Sequence, residues 1–404
     1  MPALYHAGMS DPVSLLNADS ESKRLDALRA LRRDIGSGLF EMPEPDGNVN
    51  NHIHTIYSFS PYSPAKAVFM ARRASLSAAG IIDHESVGGV LEFREAGRIM
   101  GLPTTAGFEM RVGFEETPFT DRRVNNPDQI GNAYMTVHGL ADARLDVAEA
   151  FLKPVRQARG ERNRLMCAKL SAVAGIGLDY DMDVLPLSEH LHGGSVTERH
   201  IICALSVKLI EEYGKGQELH EKLASYPGIG ADAAAKLTDP DKSLFLFDLI
   251  GVLKAGFVES FYIPAGRAEC PDVRDVVDFA NEADAILAYA YLGDITESVT
   301  GDKKAQAFED AYLDELFETL DGLGVRAVTY MPARNTRQQL ERVRDLCEQY
   351  GMLQISGEDI NSPRQSFISE ASKDPYFANL KETTWKLIEH EKGGKSCEEV
   401  FDRG

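Results

Sequence analysis

Apolar positions along the chain fall into two rhythms, one of period two and one near 3.6, and the rhythms alternate. VNNHIHTI, IIDHES, PTTAGFEMRV and NAYMTVHGL read as short strands. Between them, SPAKAVFMARRASLSAAG reads as a helix begun by Ser63-Pro64 and closed by Gly80, and GGVLEFREAGRIMG as another. From about Ala141 to Gly256 the alternation stops and long helical patterns take over, ADARLDVAEAFLKPVRQARGERNRLMCAKLSAVAG and TERHIICALSVKLIEEYG among them. It then resumes through RDVVDFANEA, DAILAYAYLG, DAYLDELFETLDGLG, VRAVTYM, TRQQLERVRDLCEQYG and MLQISGED. Alternation of this kind marks βα units around a parallel sheet, as a barrel or an open α/β layer. The expected organisation is an N-terminal helix and linker over 1–47, barrel over 48–140, a helical insertion over 141–258, barrel again over 259–370, and C-terminal helices over 371–404.

Charge narrows the partners. The 404 residues carry a formal net charge of −20, which repels nucleic acid and anionic membrane unless bound cations or a basic groove reverse it. No Lys/Arg run supplies such a groove. The one stretch that argues for DNA is SYPGIGADAAAKL (Ser225 to Leu237), whose Pro-Gly-Ile-Gly resembles a helix-hairpin-helix, and a turn between insertion helices explains it as well. Five cysteines without CxxC spacing fit free thiols in a reducing cytosol. The N-terminus lacks the pattern of a signal peptide and no apolar run is long enough to span a bilayer, so a cytoplasmic protein is expected.

Metal-ligand chemistry then appears at the strand ends. His52 and His54, two of only ten histidines, sit one residue apart in the first strand, so their side chains leave on the same face. Asp83 and His84, Glu109, His138 and Asp359 stand at or near the ends of later strands. In parallel α/β folds active sites form along that edge. Imidazoles and carboxylates together suit Zn²⁺, Mn²⁺ or Fe. Each residue alone has a bland reading: a cap for Asp83-His84, a salt-bridge partner for Glu109, a core histidine for His138, a turn cap for Asp359. Their recurrence at five strand ends favours a metal site.

HIHT, AGIIDHESVGG, AGFEMRV, TVHG and ISGEDIN, in that order, resemble the motifs of the polymerase and histidinol phosphatase (PHP) superfamily of metal-dependent phosphoesterases. The resemblance covers roughly 48–140 and 260–366. It implies a distorted (β/α)7 barrel that holds one to three divalent ions. His52, His54, Glu109 and Asp359 resemble the ligands of a first ion, Glu109 and His138 those of a second, and His84 a ligand of a third; Asp83 resembles an orienting residue. Three departures follow. Tyr291 in AYLG stands where the family has the histidine of Ala-His-Pro-Gly, Asn361 stands for the last histidine of Asp-x-His, and Phe59 or Ser60 replaces a ligand after the opening motif. Tyr291 and Asn361 are therefore weak candidate ligands, and His190, His192 or His200 from the insertion are substitutes to consider. His200 also resembles a helix-start histidine of related phosphatases, while Arg111 and Arg364 are placed to meet phosphate. The expected activity is hydrolysis of a small phosphate ester by a metal-activated water. The alternatives are a nucleotide or nucleic-acid phosphodiesterase and a degenerate metal-binding protein without turnover.

Overall fold

A computed structural model describes residues 12–230, 237, 244–294, 309–393, 396, 397 and 399. Seven strands form one sheet in sequence order: β1 (Val49–Ile53), β2 (Ala78–His84), β3 (Thr104–Gly113), β4 (Asn132–His138), β5 (Ile286–Ala290), β6 (Ala327–Tyr330) and β7 (Leu353–Ser356). The residues just after β7 return to β1 through His54 N–H to the Ile360 carbonyl at 2.9 Å and Ile360 N–H to the His52 carbonyl at 3.0 Å. The sheet is thereby a nearly closed, distorted barrel, one of the two forms that the alternating rhythms allow.

One strand departs from the parallel expectation. β4 runs antiparallel to both β3 and β5. The 18 residues from Phe114 to Gly131 form a loop rather than a crossover helix, and a strand that returns without a crossover must reverse direction. The C-terminal end of β4 consequently lies at the opposite edge from those of its neighbours.

Helices pack outside the sheet: α1 (Glu21–Gly36), α2 (Pro64–Arg73) and α3 (Val90–Met100) along the first strands. The Ser63 hydroxyl accepts from Lys66 N–H, and Pro64 occupies the first turn of α2, where its missing donor costs nothing. α2 ends at Arg73, however, and Gly80 lies inside β2. A Cβ on Gly80 would fall 2.3 Å from Thr105 Oγ1 and 2.8 Å from Asn51 Cα, so glycine is there for close strand approach, not as a helix stop.

From the end of β4 to Phe261 the described residues hold helices and no strand. They are α4 (Leu145–Ala174), α5 (Glu198–Tyr213), α6 (Gln217–Ala224) and α7 (Phe245–Phe261), with short turns of 3-10 or π type between them. These helices enclose their own hydrophobic core, which includes Met166, Leu170, Ile201, Leu205, Leu249 and Phe257. The Pro-Gly-Ile-Gly turn packs on α7, with Gly228 close against the Gly256 carbonyl. The helix expected after it falls on 231–236, outside the described residues. On the other side follow α8 (Val273–Glu282), α9 (Leu313–Gly322), α10 (Arg337–Tyr350) and α11 (Ala378–Glu391).

Helix α11 covers the N-terminal edge of the barrel. Its Leu387 packs with Ala288, Ala327 and Ile355 of the interior, Thr384 Oγ1 accepts from Asn51 Nδ2 at 2.7 Å, and Glu391 caps Ala106 N–H. One end of the barrel is thus closed, and the chemistry gathers at the other. Among the described residues no helix is long and apolar enough to cross a membrane.

Candidate metal centre

The register of the sheet sets the site. His84 pairs with Glu109 across β2 and β3, and Glu109 with Thr136 across β3 and β4. Directly paired residues share a face, so these side chains enter the barrel together with His52 and His54 from β1. His52 Nε2 and His54 Nε2 lie 3.1 Å apart. Glu109 Oε2 is 3.8 Å from His52 Nε2, 3.7 Å from His54 Nε2 and 3.0 Å from His84 Nδ1. Asp359 Oδ1, from the loop after β7, is 3.3 Å from His54 Nε2.

These atoms point at a common centre more than at one another. His84 Nδ1 is buried at 3.0 Å from a carboxylate oxygen and still makes no hydrogen bond. Two imidazole Nε2 atoms 3.1 Å apart also oppose their lone pairs unless a proton or a cation lies between them. His52, His54 and Glu109 bring their ligand atoms within 4.8 Å of each other. The donor set of neutral nitrogens and anionic oxygens fits a divalent transition metal.

Neighbouring groups fix the ligands. Asp83 accepts from Thr55 N–H and Thr55 Oγ1, both at 2.6 Å, and from Ser58 Oγ at 2.5 Å. The single Ser58 proton therefore lies toward Asp83, so Ser58 accepts from His54 Nδ1–H at 3.2 Å. That directs His54 Nε2 at the centre, beside Asp359 Oδ1. Asp83 thus holds Thr55 and Ser58, and through Ser58 it orients His54.

Electrostatics keep the set ready for a cation. Burial pushes His84 and His138 down to about 3, so both imidazoles are neutral. Burial alone would raise Glu109, yet the imidazoles of His84 and His52 outweigh it and hold the carboxyl below its usual range. His54 is depressed by burial but raised more by its hydrogen bond to, and the charge of, Asp359.

Other sequence candidates fall elsewhere. His138 faces the interior, but from reversed β4, at the level of Gly107 rather than Glu109. Its Nε2 lies 2.9 Å from Thr136 Oγ1, and no hydrogen bond or ion pair joins it to Glu109 among the described residues. Tyr291 continues the outward face of Leu287 and Tyr289, packs with Leu313 and Phe317, and donates its hydroxyl to Asp310 Oδ1 at 2.6 Å. It does not enter the barrel. Asn361 donates from Nδ2 to both Asp359 oxygens, at 2.8 and 2.9 Å, so its amide clamps that carboxylate. Phe59 adopts φ +79° and packs edge-on to His200, 4.9 Å between ring centroids, inside the insertion core.

The three candidates for phosphate contact are likewise engaged. His200 is fully buried and caps its own helix, accepting Thr197 N–H on Nδ1 at 2.9 Å. Arg111 pairs with Glu269 and lies 3.6 Å from Glu198. Arg159 and Arg162 of α4 complete that cluster, binding Glu85, Glu198 and Glu269, which docks the insertion beside the residue that follows His84. Arg364 makes an exposed pair with Asp248 at 2.6 Å. His190 bonds within its own turn, and His192 pairs with Glu189 at the surface. The position passed over in the sequence is Arg199, one residue before His200. Its Nη1 donates to Asn361 Oδ1 at 2.7 Å, and no carboxylate pairs with it among the described residues.

No protein-family model matches the sequence, and no curated protein matches it either. Among solved structures, a provisionally assigned metal-dependent phosphoesterase from Bifidobacterium adolescentis aligns over 85% of this chain and 98% of its own, with TM-score 0.55 and 19% identity. An amidohydrolase from Chromobacterium violaceum, solved with bound sulfate and no metal, aligns over 78% and 88% with TM-score 0.50 and 18% identity. These likenesses are of fold, and the shared fold is the distorted barrel that the PHP resemblance implies.

Proposed function

We propose that this protein is a metal-dependent hydrolase of a small phosphate ester. The observation that carries the reading is the convergence of His52, His54, Glu109, His84 and Asp359 donor atoms, with His84 Nδ1 buried 3.0 Å from Glu109 and unbonded. A divalent cation held there supplies Lewis acidity toward a phosphate oxygen and lowers the pKa of water. His52, His54, Glu109 and Asp359 would hold it, and His84 lines the same space. Ser58 and Asp83 keep His54 Nε2 directed inward. Arg199 stands beside Asn361 with no carboxylate paired to it at salt-bridge distance among the described residues, and would orient a phosphate dianion. The sulfate reported for the Chromobacterium violaceum structure is in keeping with an oxyanion pocket in this fold.

A metal-binding protein without turnover is the second reading. It is favoured by the outward turn of Tyr291 and by Phe59 in the insertion core, which remove two of the groups that would complete further ion sites.

Protein purified without chelator, then assayed with Mn²⁺ or Zn²⁺, tests the proposal. Mononucleotides and p-nitrophenyl phosphate should be hydrolysed, and His54→Ala and Asp359→Ala should abolish the activity. Preference for bis-p-nitrophenyl phosphate or oligonucleotides would shift the assignment to a phosphodiesterase. Bound metal with no turnover on any of these would establish the second reading.

A further inference from the structure

The closed end of the barrel carries a second convergence of metal-ligand chemistry. Asp284 lies in the turn before β5, His390 in the last turn of α11, and Cys397 beyond that helix. Cys397 Sγ is 3.3 Å from His390 Nε2, and the ligand atoms of the three residues all lie within 4.8 Å of one another. Donors around a tetrahedral Zn²⁺, at about 2.0–2.3 Å from the ion, stand roughly 3.5 Å apart. The observed spacing is therefore that of a ligand set. His390 is buried, while Asp284 and Cys397 are partly so.

The donor set and its placement suit a cation. Asp284 takes φ +48°, an uncommon conformation for a non-glycine residue, and this aims its carboxylate at the C-terminal segment, where Oδ1 accepts Cys397 N–H at 3.0 Å. Thiolate, carboxylate and neutral imidazole together carry the charge that balances a divalent cation.

We propose that Asp284, His390 and Cys397 bind a zinc-class divalent cation that fastens the segment after α11 beneath the barrel. The site would be structural: it faces the covered edge, and its ligands come from three positions that the cation would tie together. It is independent of the phosphoesterase reading, since it shares no residue with the cluster of His52, His54 and Glu109. The competing arrangement is a hydrogen-bonded tether, in which the thiol at 3.2 Å and the imidazole at 2.8 Å both donate to the Asp284 carbonyl.

Cobalt distinguishes the two. The barrel cluster offers only nitrogen and oxygen donors, so a thiolate-to-Co²⁺ charge-transfer band in the near ultraviolet reports on Cys397 alone. Full-length protein titrated with Co²⁺ should develop the band to one equivalent per chain. Cys397→Ser should abolish it and remove one equivalent, His390→Ala should weaken binding by about 100-fold, and His54→Ala should leave the band intact. Zn²⁺ should displace the Co²⁺, and it should raise Tm in His54→Ala but not in the double variant His54→Ala with Cys397→Ser. Cobalt binding to the wild type without a thiolate band, a band that survives Cys397→Ser, or no cobalt binding at all would overturn the proposal in favour of the tether.

Discussion

Arg199 donates from Nη1 to Asn361 Oδ1 at 2.7 Å, and the same amide donates from Nδ2 to both oxygens of Asp359. One amide thus links the first turn of α5 to a carboxylate of the metal cluster. Removing it frees Asp359 to rotate away from His54. Asn361→Ala should weaken Mn²⁺ binding by about 10–100-fold, the usual cost of losing a group that orients a ligand. Isothermal titration at fixed pH measures it; unchanged affinity would mean that Asp359 is held by other contacts.

Arg199 itself should behave differently. Its guanidinium touches the amide, not the carboxylate, so Arg199→Ala should leave metal stoichiometry intact and lower kcat/KM for a phosphate monoester by about 10–100-fold, the worth of one charge-assisted hydrogen bond. Lysine should restore only part of it, because it supplies a point charge without the fork. Elemental analysis beside steady-state kinetics separates the effects, and a loss of metal in Arg199→Ala would place this arginine with Asn361 instead.

Phe59 links the barrel to the insertion, and substitution there should read as stability. Its ring is buried against His200 and Phe247. Phe59→Ala should cost about 3 kcal/mol in urea denaturation. Phe59→Asp, which would install a ligand type in the resemblance's pattern, should cost at least as much and bind no additional metal. The position faces a neutral imidazole in an apolar core, and burial holds His200 at about 3. An added metal equivalent in Phe59→Asp would show that this loop can turn toward the cluster.

The sequence was most informative where chemistry and periodicity coincide. His52-x-His54 in a period-two run already places both rings on one face, and Ser63-Pro64 marks a helix start through local backbone preferences alone. The reversal of β4 was not legible, because direction depends on how the loop from Phe114 to Gly131 closes, not on any residue in the strand. Arg199 was overlooked beside a histidine, although side chains one residue apart leave a helix in different directions. The fates of Arg111 and Arg364 were hidden for a related reason: whether a guanidinium is available depends on carboxylates such as Glu269 and Asp248, over a hundred positions away in the sequence. Tyr291 illustrates strand parity. Its neighbour Ala290 shares the alternation of Ala288, so a one-residue offset decides which side chain sees the interior.

Glu309 gives the fold a pH dependence of predictable sign. It is fully buried, accepts Leu292 N–H at 2.8 Å and contacts Gly293 N–H and the Tyr289 hydroxyl, with no cation paired to it among the described residues. Burial pushes its carboxyl up to about 8, against the lowering pull of those hydrogen bonds. In the unfolded chain a glutamate titrates near 4.3. Between these values the native state keeps a proton that the unfolded state has released, so stability is greatest below the unfolded pKa and falls as pH rises toward 8. The loss between pH 5 and pH 8 should be roughly 3 kcal/mol from this group. Glu309→Gln keeps an oxygen for the two backbone amides and an N–H for Tyr289, and it cannot ionise. Urea denaturation at pH 5.5, 7 and 8.5 should therefore show a flatter profile for Glu309→Gln than for the wild type, with the variant more stable at pH 8.5. Parallel profiles would mean that Glu309 is already ionised in the folded protein at pH 5.5.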